Sequence, residues 1–556
     1  MIDFTRRTAL RSGAGLAAAA TLSPTAEWVA RAAAPPQRKP DSLPDPTRAA
    51  GTVDPKMPFD HVVIVMQENH SFDNYFGMLP RRGQPKADGF SFDASGKPTN
   101  SNPYKNGYLV AQHADTHCQP GGVGQSWRST HIQIDGGKMD GFPQTSPDSM
   151  LYWDQADLPF YYSLATTFCL GDRWFCSAPC QTYPNRRFLL AATAFGLIST
   201  DTSSLTENPP NGTIVDRLDK YGVTWKDYFT DLPATGVIES IPQNHPQNLA
   251  TVQQFMVDCA AGTLPQVSFV DSDIGVLAIP PSTNEVESQN QDEENPADIS
   301  LGENFVSGVV NAVLGSPLWP RILLVWTYDE HGGYYDHVPP PPAIPPDDIK
   351  PRLGPNDPPG GYDIYGPRVP AVVISGHAKP KSVTSVVHDH TSILATIQAK
   401  WNLPAMTYRD ANATTLMDFL DATQVTFPEP PTLAAPSDLA QSEQTCSTTE
   451  PTFTPVPKPP AGASKPAARG GLVARFYGRR HAAHGVVVTL NMRSGSLTGL
   501  LVELERAGKV VAKAHVTHVG THRRRVVLDG RFASGAYTLV VRHGKHTLVK
   551  RRVRLR

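Results

Sequence analysis

Acidic and amide side chains follow two apolar stretches of this 556-residue sequence. One pair, Glu68 and Asn69, follows a stretch that begins at Val62, and a second pair, Asp329 and Glu330, follows another apolar stretch. Carboxylate and amide oxygens are hard ligands that suit a divalent cation. In open α/β sheets, the carboxyl ends of the strands are where loops converge to form sites. The pattern therefore predicts a divalent-cation site, and the ligand set leaves the identity of the metal open.

The second chemical feature is the segment CQTYPNRRF at residues 180–188. Thr182 lies just before Pro184, and proline is favoured in the first turn of a helix. We therefore expect Thr182 at a helix N-cap, where backbone N–H groups and the helix dipole favour an anion. A capping threonine and a hydroxyl nucleophile for phosphorus both fit this position. Arg186 and Arg187 suit either phosphate binding or ion pairs with surface carboxylates.

The elements that must position these residues are typical of an α/β domain. Short apolar stretches without alternation predict strands covered on both faces, and helical patterns alternate with them. The clearest predicted strands are Val62–Met66, Val267–Val270, Ile322–Thr327 and Val369–Ser375, and the clearest predicted helices are Asn185–Phe195 and Thr391–Trp401.

Composition divides the chain into five segments. Residues 1–34 carry a twin-arginine pattern at Arg6 and Arg7 and an alanine-rich stretch, which predicts an export signal. A Pro-rich spacer (35–57), a catalytic domain (58–425), a Pro/Ala-rich linker (426–470) and a small all-β sandwich domain (471–556) follow. We therefore expect a secreted or cell-surface protein that the twin-arginine machinery exports. No later segment offers the roughly 20 apolar residues of a membrane span.

Charge is distributed unevenly along the chain. Residues 471–556 hold 18 Lys and Arg against 3 Asp and Glu, a net charge of +15, whereas the rest of the chain has a net charge of −17. A basic domain on an exported protein suits an anionic membrane or a cell-wall polymer, and we expect no nucleic acid as a partner. The six cysteines predict one or two disulfides, and their spacing does not define the connectivity.

The chain contains, in this order, the segments ENHSFDNYFG, GGKMDGF, CQTYPNRRF, WTYDEHGGYYDHVPPP, GPRVPAVVIS and HDHTSIL. These six segments resemble motifs of the bacterial phosphoesterase family, and the resemblance spans residues 58–425. The family contains phosphatidylcholine-type phospholipases C and a related acid phosphatase. The resemblance implies an alkaline-phosphatase-like doubly wound sheet with helices on both faces.

The resemblance also implies roles for individual residues. Glu68, Asn69, Asp329 and Glu330 match the family's metal ligands, and Thr182 matches its nucleophile, which also approaches the metal. A histidine that binds phosphate or assists proton transfer matches His131 best, with His117 as the second choice. Further candidates for contact with the substrate are Arg186, His117 and His390.

One segment departs from the family pattern. Family members commonly have DEHPP where this chain has DEENP at residues 292–296, so that Glu294 or Asn295 takes the place of a histidine near the leaving group. The proton for the leaving group must then come from another side chain. The candidates are Glu294, His331 and His390.

The resemblance implies a phospholipase C that hydrolyses phosphatidylcholine-like phosphodiesters to diacylglycerol and a phosphorylated headgroup through a metal-assisted phospho-threonine intermediate. A non-specific acid phosphatase acting on monoesters needs the same core, and an inactive surface-binding protein is a third reading. Aromatic residues of the insertions are candidates for a cage around a quaternary ammonium headgroup. They are Trp127, Tyr152, Trp153, Tyr161 and Tyr162.

Overall fold

The computed structural model describes residues 38–273, 291–439 and 452–457, and seven strands between residues 473 and 555. The predicted export signal and part of the predicted linker lie outside the described residues. None of the helices within the described ranges has the length and apolarity needed to cross a bilayer.

An eight-stranded mixed sheet forms the centre of the catalytic domain. Its strands are β1 His61–Gln67, β6 Cys169–Gly171, β7 Trp225–Phe229, β8 Leu249–Thr251, β9 Val267–Asp271, β10 Ile322–Tyr328, β11 Ala371–Ser375 and β12 Ser382–Thr384. The spatial order is β12-β6-β11-β10-β1-β9-β7-β8, and within this sheet only β11 runs against the others. Two small sheets pair β2 Ser101–Tyr104 with β3 Gly107–Val110 and β4 Gln112–His113 with β5 Leu151–Tyr152.

Helices cover both faces of the central sheet. Successive residues of β10 point to opposite faces and all are buried, which requires a layer on each side. The α-helices of the described residues are α1 Phe72–Phe76, α2 Trp127–Ile134, α3 Phe142–Thr145, α4 Pro159–Thr167, α5 Thr182–Ala191, α6 Ile214–Lys220, α7 Ser240–Asn244, α8 Val252–Ala261, α9 Ile299–Leu314, α10 His390–Trp401 and α11 Tyr408–Asn412. Helices α5, α6, α10 and α11 pack together as one group, and α4, α8 and α9 pack together as the other. The predicted α/β fold class is confirmed.

The four predicted strands are present, and the predicted helices differ from the observed ones mainly at their ends. The helix expected at Asn185–Phe195 begins at Thr182 instead. The prediction that Thr182 is the N-cap is wrong, because Gln181 occupies that position in an extended conformation. Pro184 still lies in the first turn, where its missing N–H costs nothing because those donors have no partner within the helix.

The carboxyl-terminal region is an all-β domain of two antiparallel sheets, as predicted. One sheet has the order β13-β14-β17 and the other β16-β15-β18-β19. The strands are β13 Val473–Arg480, β14 Val486–Asn491, β15 Leu497–Arg506, β16 Lys509–Val519, β17 Arg524–Leu528, β18 Gly535–His543 and β19 His546–Leu555. The first of these was not predicted, because arginines interrupt its apolar pattern.

Part of the predicted linker is bound to the catalytic domain. The indole N–H of Trp319 donates to the Phe427 carbonyl at 3.0 Å, and the Ser437 N–H donates to Glu303 at 2.7 Å. Further along, Val456 exchanges two backbone hydrogen bonds with Tyr108. The chain therefore runs along the catalytic domain at these points before it reaches the β domain.

The described cysteines are of two kinds. Cys118 is disulfide-bonded, in agreement with the expectation of a disulfide. The remaining described cysteines are free and buried: Cys169, Cys176, Cys180 and Cys259.

Candidate active site

The two acidic clusters predicted from sequence meet at one edge of the central sheet. Strands β1 and β10 are parallel neighbours, with Gln67 paired to Tyr328, so that the residues after both strands leave the sheet side by side. The Asn69 N–H lies 3.3 Å from Asp329 Oδ1 as a hydrogen-bond donor. Asn69 has a φ of 73°, a left-handed conformation that asparagine tolerates better than most residues.

These side chains present oxygen atoms that no described group satisfies. Asn69 Oδ1, Asp329 Oδ2 and Glu330 Oε1 are buried and have no hydrogen-bond partner among the described residues. Burial, followed by the nearby charge of Glu68, raises the pKa of Asp329 well above its ordinary value, and burial does the same for Glu330. Buried polar atoms without partners are rare in folded proteins. This donor set therefore fits a hard divalent cation, which would compensate both the charge and the missing contacts.

A glycine lets the two loops approach each other closely. Gly332 has a φ of 62°, and a Cβ atom added there would lie 1.9 Å from the Asn69 carbonyl oxygen. Any larger residue at position 332 would push apart the loops that carry the two acidic pairs. The GG of the DEHGG segment thus helps to bring the ligands together.

The carboxylates of Glu68, Asp329 and Glu330 are called the acidic group, and Arg186 lies within it. Its Nη2 is 2.9 Å from Glu68 Oε1 and its Nε is 3.9 Å from Asp329 Oδ2. Thr182 precedes Arg186 by one helical turn on α5, so both side chains share one face of the helix. Thr182 therefore lies on the face of α5 that carries Arg186, the residue that reaches Glu68. Arg187 lies apart from it and donates instead to the Ser204 carbonyl at 2.6 Å.

Asn185 organises the loop in front of Thr182. Its Nδ2 donates to the carbonyls of Cys180 and Gln181 at 2.7 and 3.1 Å, and its Oδ1 accepts the Ala178 N–H at 3.0 Å. These bonds hold the approach to α5 in one conformation. Sequence reasoning missed this role, although Asn185 belongs to the same PNR segment as Arg186.

Glu294 lies beside Glu68, as the departure from the family pattern required. One oxygen each from Glu68, Asp292 and Glu294 lie within 4.8 Å of one another. Burial, followed by the charge of Glu68, raises the pKa of Glu294 to about 8. Asp292, which sequence reasoning did not single out, is buried and accepts the Glu68 N–H through its backbone oxygen at 2.8 Å. The sequence signal that could have identified Asp292 is its position two residues before Glu294 in the same DEENP segment.

Two predicted histidines contact the loop after β10. His390 Nε2 donates to the Asp329 carbonyl at 2.7 Å, and its Nδ1 has no partner among the described residues. His331 Nε2 donates to Gln133 Oε1 at 2.7 Å, and its Nδ1 lies 3.0 Å from Glu330 Oε2. Burial lowers the pKa of both rings, to about 4 for His390 and about 3 for His331.

The other two predicted histidines lie elsewhere. His131 Nδ1 donates to the Trp127 carbonyl at 2.7 Å, and His117 Nε2 lies 3.8 Å from Asp157. Neither has a described contact with the acidic group. The aromatic residues proposed as a headgroup cage are buried in the core and form no open cage. They are Trp127, Tyr152, Trp153, Tyr161 and Tyr162.

Three of the six motifs also meet in a second buried group. Arg368 Nε donates to Asp336 at 2.9 Å, and its Nη2 donates to Asp73 at 3.1 Å. His337 Nδ1 donates to the other Asp73 oxygen at 2.6 Å. The carboxylates of this group are therefore paired with the basic side chains of Arg368 and His337.

Comparisons with known proteins identify the family of the chain. A model of the phosphoesterase family matches residues 59–404. The chain is 32% identical to non-specific phospholipase C1 of Arabidopsis thaliana, over 64% of this chain and 70% of that protein. It is 27% identical to non-hemolytic phospholipase C of Pseudomonas aeruginosa, over 85% of this chain and 70% of that protein. A solved structure in the alkaline phosphatase superfamily, from Vibrio parahaemolyticus, has a TM-score of 0.29 and 11% identity over 60% of this chain and 77% of that one, a likeness too distant to inform the site.

Proposed function

Because the chain belongs to the phosphoesterase family and is a phosphoric ester hydrolase, we propose that it is a secreted phospholipase C acting on phosphatidylcholine-like phosphodiesters. The products are diacylglycerol and a phosphorylated headgroup. The observation that carries the proposal is the set of carboxylates after β1 and β10, which have unpartnered oxygens and lie next to Arg186 of the helix that begins at Thr182. The names of the relatives support a phospholipase C in particular.

The residues that would hold a divalent cation are Glu68, Asn69, Thr182, Asp329 and Glu330. A bound divalent cation acts as a Lewis acid that polarises a phosphoryl oxygen. Thr182 Oγ1 loses its proton to solvent as it attacks phosphorus, the bond to the diacylglycerol oxygen breaks, and a phospho-threonine that carries the headgroup forms. Glu294 donates a proton to the departing oxygen, because it lies beside Glu68 and is less buried than His331. A water molecule deprotonated by Glu294 then attacks phosphorus, the bond to Thr182 Oγ1 breaks, Oγ1 takes up a proton, and the phosphorylated headgroup leaves.

Two substrates test this proposal against the acid-phosphatase alternative. We expect kcat/KM for phosphatidylcholine to exceed that for p-nitrophenyl phosphate by at least about tenfold. Incubation with a chelator should abolish turnover, and a divalent cation should restore it. A preference for the monoester would make the protein an acid phosphatase, and no turnover of either substrate would favour an inactive surface-binding protein. Turnover that survives chelation would contradict the cation site.

The β domain supplies a basic face for an anionic surface. Lys513, Lys550, Arg552 and Arg554 are exposed and have no ion pair among the described residues, whereas Arg542 pairs with Glu503 at 2.8 Å. We propose that this face binds anionic membrane or cell-wall polymers by electrostatic attraction.

Charge reversal tests this binding. The triple variant K550E/R552E/R554E should lose binding to phosphatidylglycerol vesicles at low salt. The control K56E/K86E/K97E reverses three exposed lysines outside the β domain and should bind as the unmodified protein does. Equal loss of binding in both variants would contradict a role for the β domain.

Export is the remaining part of the proposal. The twin-arginine pattern at Arg6 and Arg7 supports transport of the folded protein by the twin-arginine machinery. Replacement of both arginines by lysine should retain the protein inside the cell, whereas export of that variant at the normal level would contradict this route.

A further inference from the structure

A fully buried glutamate lies between the two acidic residues that border Glu68. Glu293 accepts hydrogen bonds from three tyrosine hydroxyl groups, those of Tyr75 at 2.6 Å, Tyr161 at 2.5 Å and Tyr328 at 2.7 Å. Its side chain therefore points into the core, away from the solvent that the site must admit. A buried carboxylate needs such donors, because burial without hydrogen bonds is costly.

The backbone around Glu293 is held equally firmly. Glu293 has a φ of 72°, in the left-handed region that L-residues rarely adopt. Gln119 Nε2 donates to its carbonyl oxygen at 2.6 Å. On the other side lies Gly302 of α9, where an added Cβ atom would come within 2.2 Å of the Glu293 side chain. The turn at residues 292–294 thus has one conformation available to it.

Two of the three tyrosines belong to the elements that deliver the predicted metal ligands, and the third, Tyr161, lies in α4. Tyr328 is the last residue of β10 and directly precedes Asp329. Tyr75 lies in α1, immediately after the loop that carries Asn69. One carboxylate therefore joins the turn at residues 292–294 to both segments that supply the acidic group.

We propose that Glu293 is a positioning residue, which holds Glu294 beside Glu68 through its three tyrosine contacts. The Asp292 carbonyl accepts the Glu68 N–H at 2.8 Å, and Asp292 Oδ1 accepts the Glu294 N–H at 3.0 Å. Displacement of Glu293 would shift both of these contacts and move Glu294 away from the reacting group. This inference rests on the proposed role of Glu294 as proton donor.

A double-mutant cycle tests whether Glu293 acts through Glu294. We expect E293Q and E294Q each to lower kcat for phosphatidylcholine by roughly 10- to 100-fold, with KM changed less than threefold. The double variant E293Q/E294Q should be no slower than E294Q alone, because a misplaced donor and a missing donor have the same consequence. If the two effects multiply, Glu293 contributes only to the general stability of the fold and the proposal is wrong.

Asp410 provides a matched control. It is a buried carboxylate that accepts four hydrogen bonds, from the N–H groups of Met406 and Thr407, the hydroxyl group of Thr407 and the side-chain amide of Gln398. D410N should lower the melting temperature and leave kcat of the folded protein unchanged. The variant Y161F removes one of the three donors to Glu293 and should lower kcat less than E293Q does.

The outcomes separate this inference from the proposed function. If T182A abolishes turnover and E294Q leaves kcat unchanged, the proposed function stands and the positioning role is wrong. If T182A retains turnover, the proposed function itself fails.

Discussion

Two groups of buried charged residues lie at the same edge of the central sheet, and they differ in charge balance. The closed group consists of Asp73, Asp336, His337 and Arg368, and pairs its carboxylates with two cations. The open group consists of Glu68, Asp292, Glu294, Asp329 and Glu330 around the single cation of Arg186.

Two motifs, ENHSFDNYFG and WTYDEHGGYYDHVPPP, supply carboxylates to both groups. The two groups differ in the number of buried carboxylate oxygens that lack a hydrogen-bond partner. In the open group, oxygens of Asp292, Asp329 and Glu330 have no hydrogen-bond partner among the described residues. A fold keeps such a group at the expense of stability, so that it can bind a ligand of opposite charge. Motif membership alone therefore does not identify a catalytic residue.

The largest effect should come from the hydroxyl group of Thr182, the proposed nucleophile. T182A should lower kcat by at least about 10³-fold, because it removes the nucleophile. T182S keeps a hydroxyl group and should retain activity within about tenfold of the unmodified protein. Steady-state kinetics with phosphatidylcholine measure kcat for both variants, and near-normal turnover by T182A would contradict the proposed mechanism.

Neutralising a carboxylate of the open group should lower the activity of the protein without lowering its stability. D329N should lower kcat by about 10²-fold and weaken binding of a divalent cation, because it neutralises a predicted ligand. Its melting temperature in the presence of a chelator should equal or exceed that of the unmodified protein, since one uncompensated buried charge is gone. Isothermal titration calorimetry and thermal unfolding measure the two effects. A marked loss of stability would mean that Asp329 is a structural residue like those of the closed group.

The closed group should show the opposite behaviour. R368M leaves the carboxylates of Asp73 and Asp336 without their shared cation and should lower the free energy of unfolding by about 3–5 kcal/mol. The kcat of the protein that remains folded should change little. Denaturant unfolding and active-site titration check this, and a variant that is stable but inactive would place Arg368 in the catalytic group.

The smallest effect concerns pH and the closed group. Burial alone would lower the pKa of His337, but the contacts with Asp73 and Asp88 raise it to about 10. A raised pKa in the folded state contributes stability that is complete below about pH 6.5 and is lost as the pH rises through 10. We expect a loss on the order of 1–2 kcal/mol between pH 7 and pH 10, and H337N should reduce it. An unchanged pH dependence in H337N would assign the loss to other groups.

Much of the catalytic domain was predictable because its strands are continuous apolar stretches. The strands that end at Gln67 and Tyr328 were identified within one or two residues. The predicted start of α5 at Asn185 lies three residues after the observed start, and the predicted N-cap lies one residue after Gln181, since Pro184 is compatible with several positions in the first turn. Strand β13 was missed because its arginines interrupt the apolar pattern.

Tertiary structure decided which of the predicted side chains meet. Glu68, Asn69, Asp329 and Glu330 converge because β1 and β10 are parallel neighbours. The resemblance implied that His131 binds phosphate or assists proton transfer, and in the fold its ring donates to the Trp127 carbonyl. Such placement depends on how the insertions fold above the sheet, which periodicity does not describe.

The sequence by itself determined the residue types of the site, the family and the two-domain organisation, because these depend on local pattern and composition. Only the tertiary structure separated the open group from the closed group, and only it revealed Glu293 beneath Glu294. The physical reason is that charge balance and hydrogen-bond satisfaction are properties of neighbours in space. Residues such as Asp73 and Arg368 are nearly 300 positions apart in the chain, and their contact is set by packing rather than by any local signal.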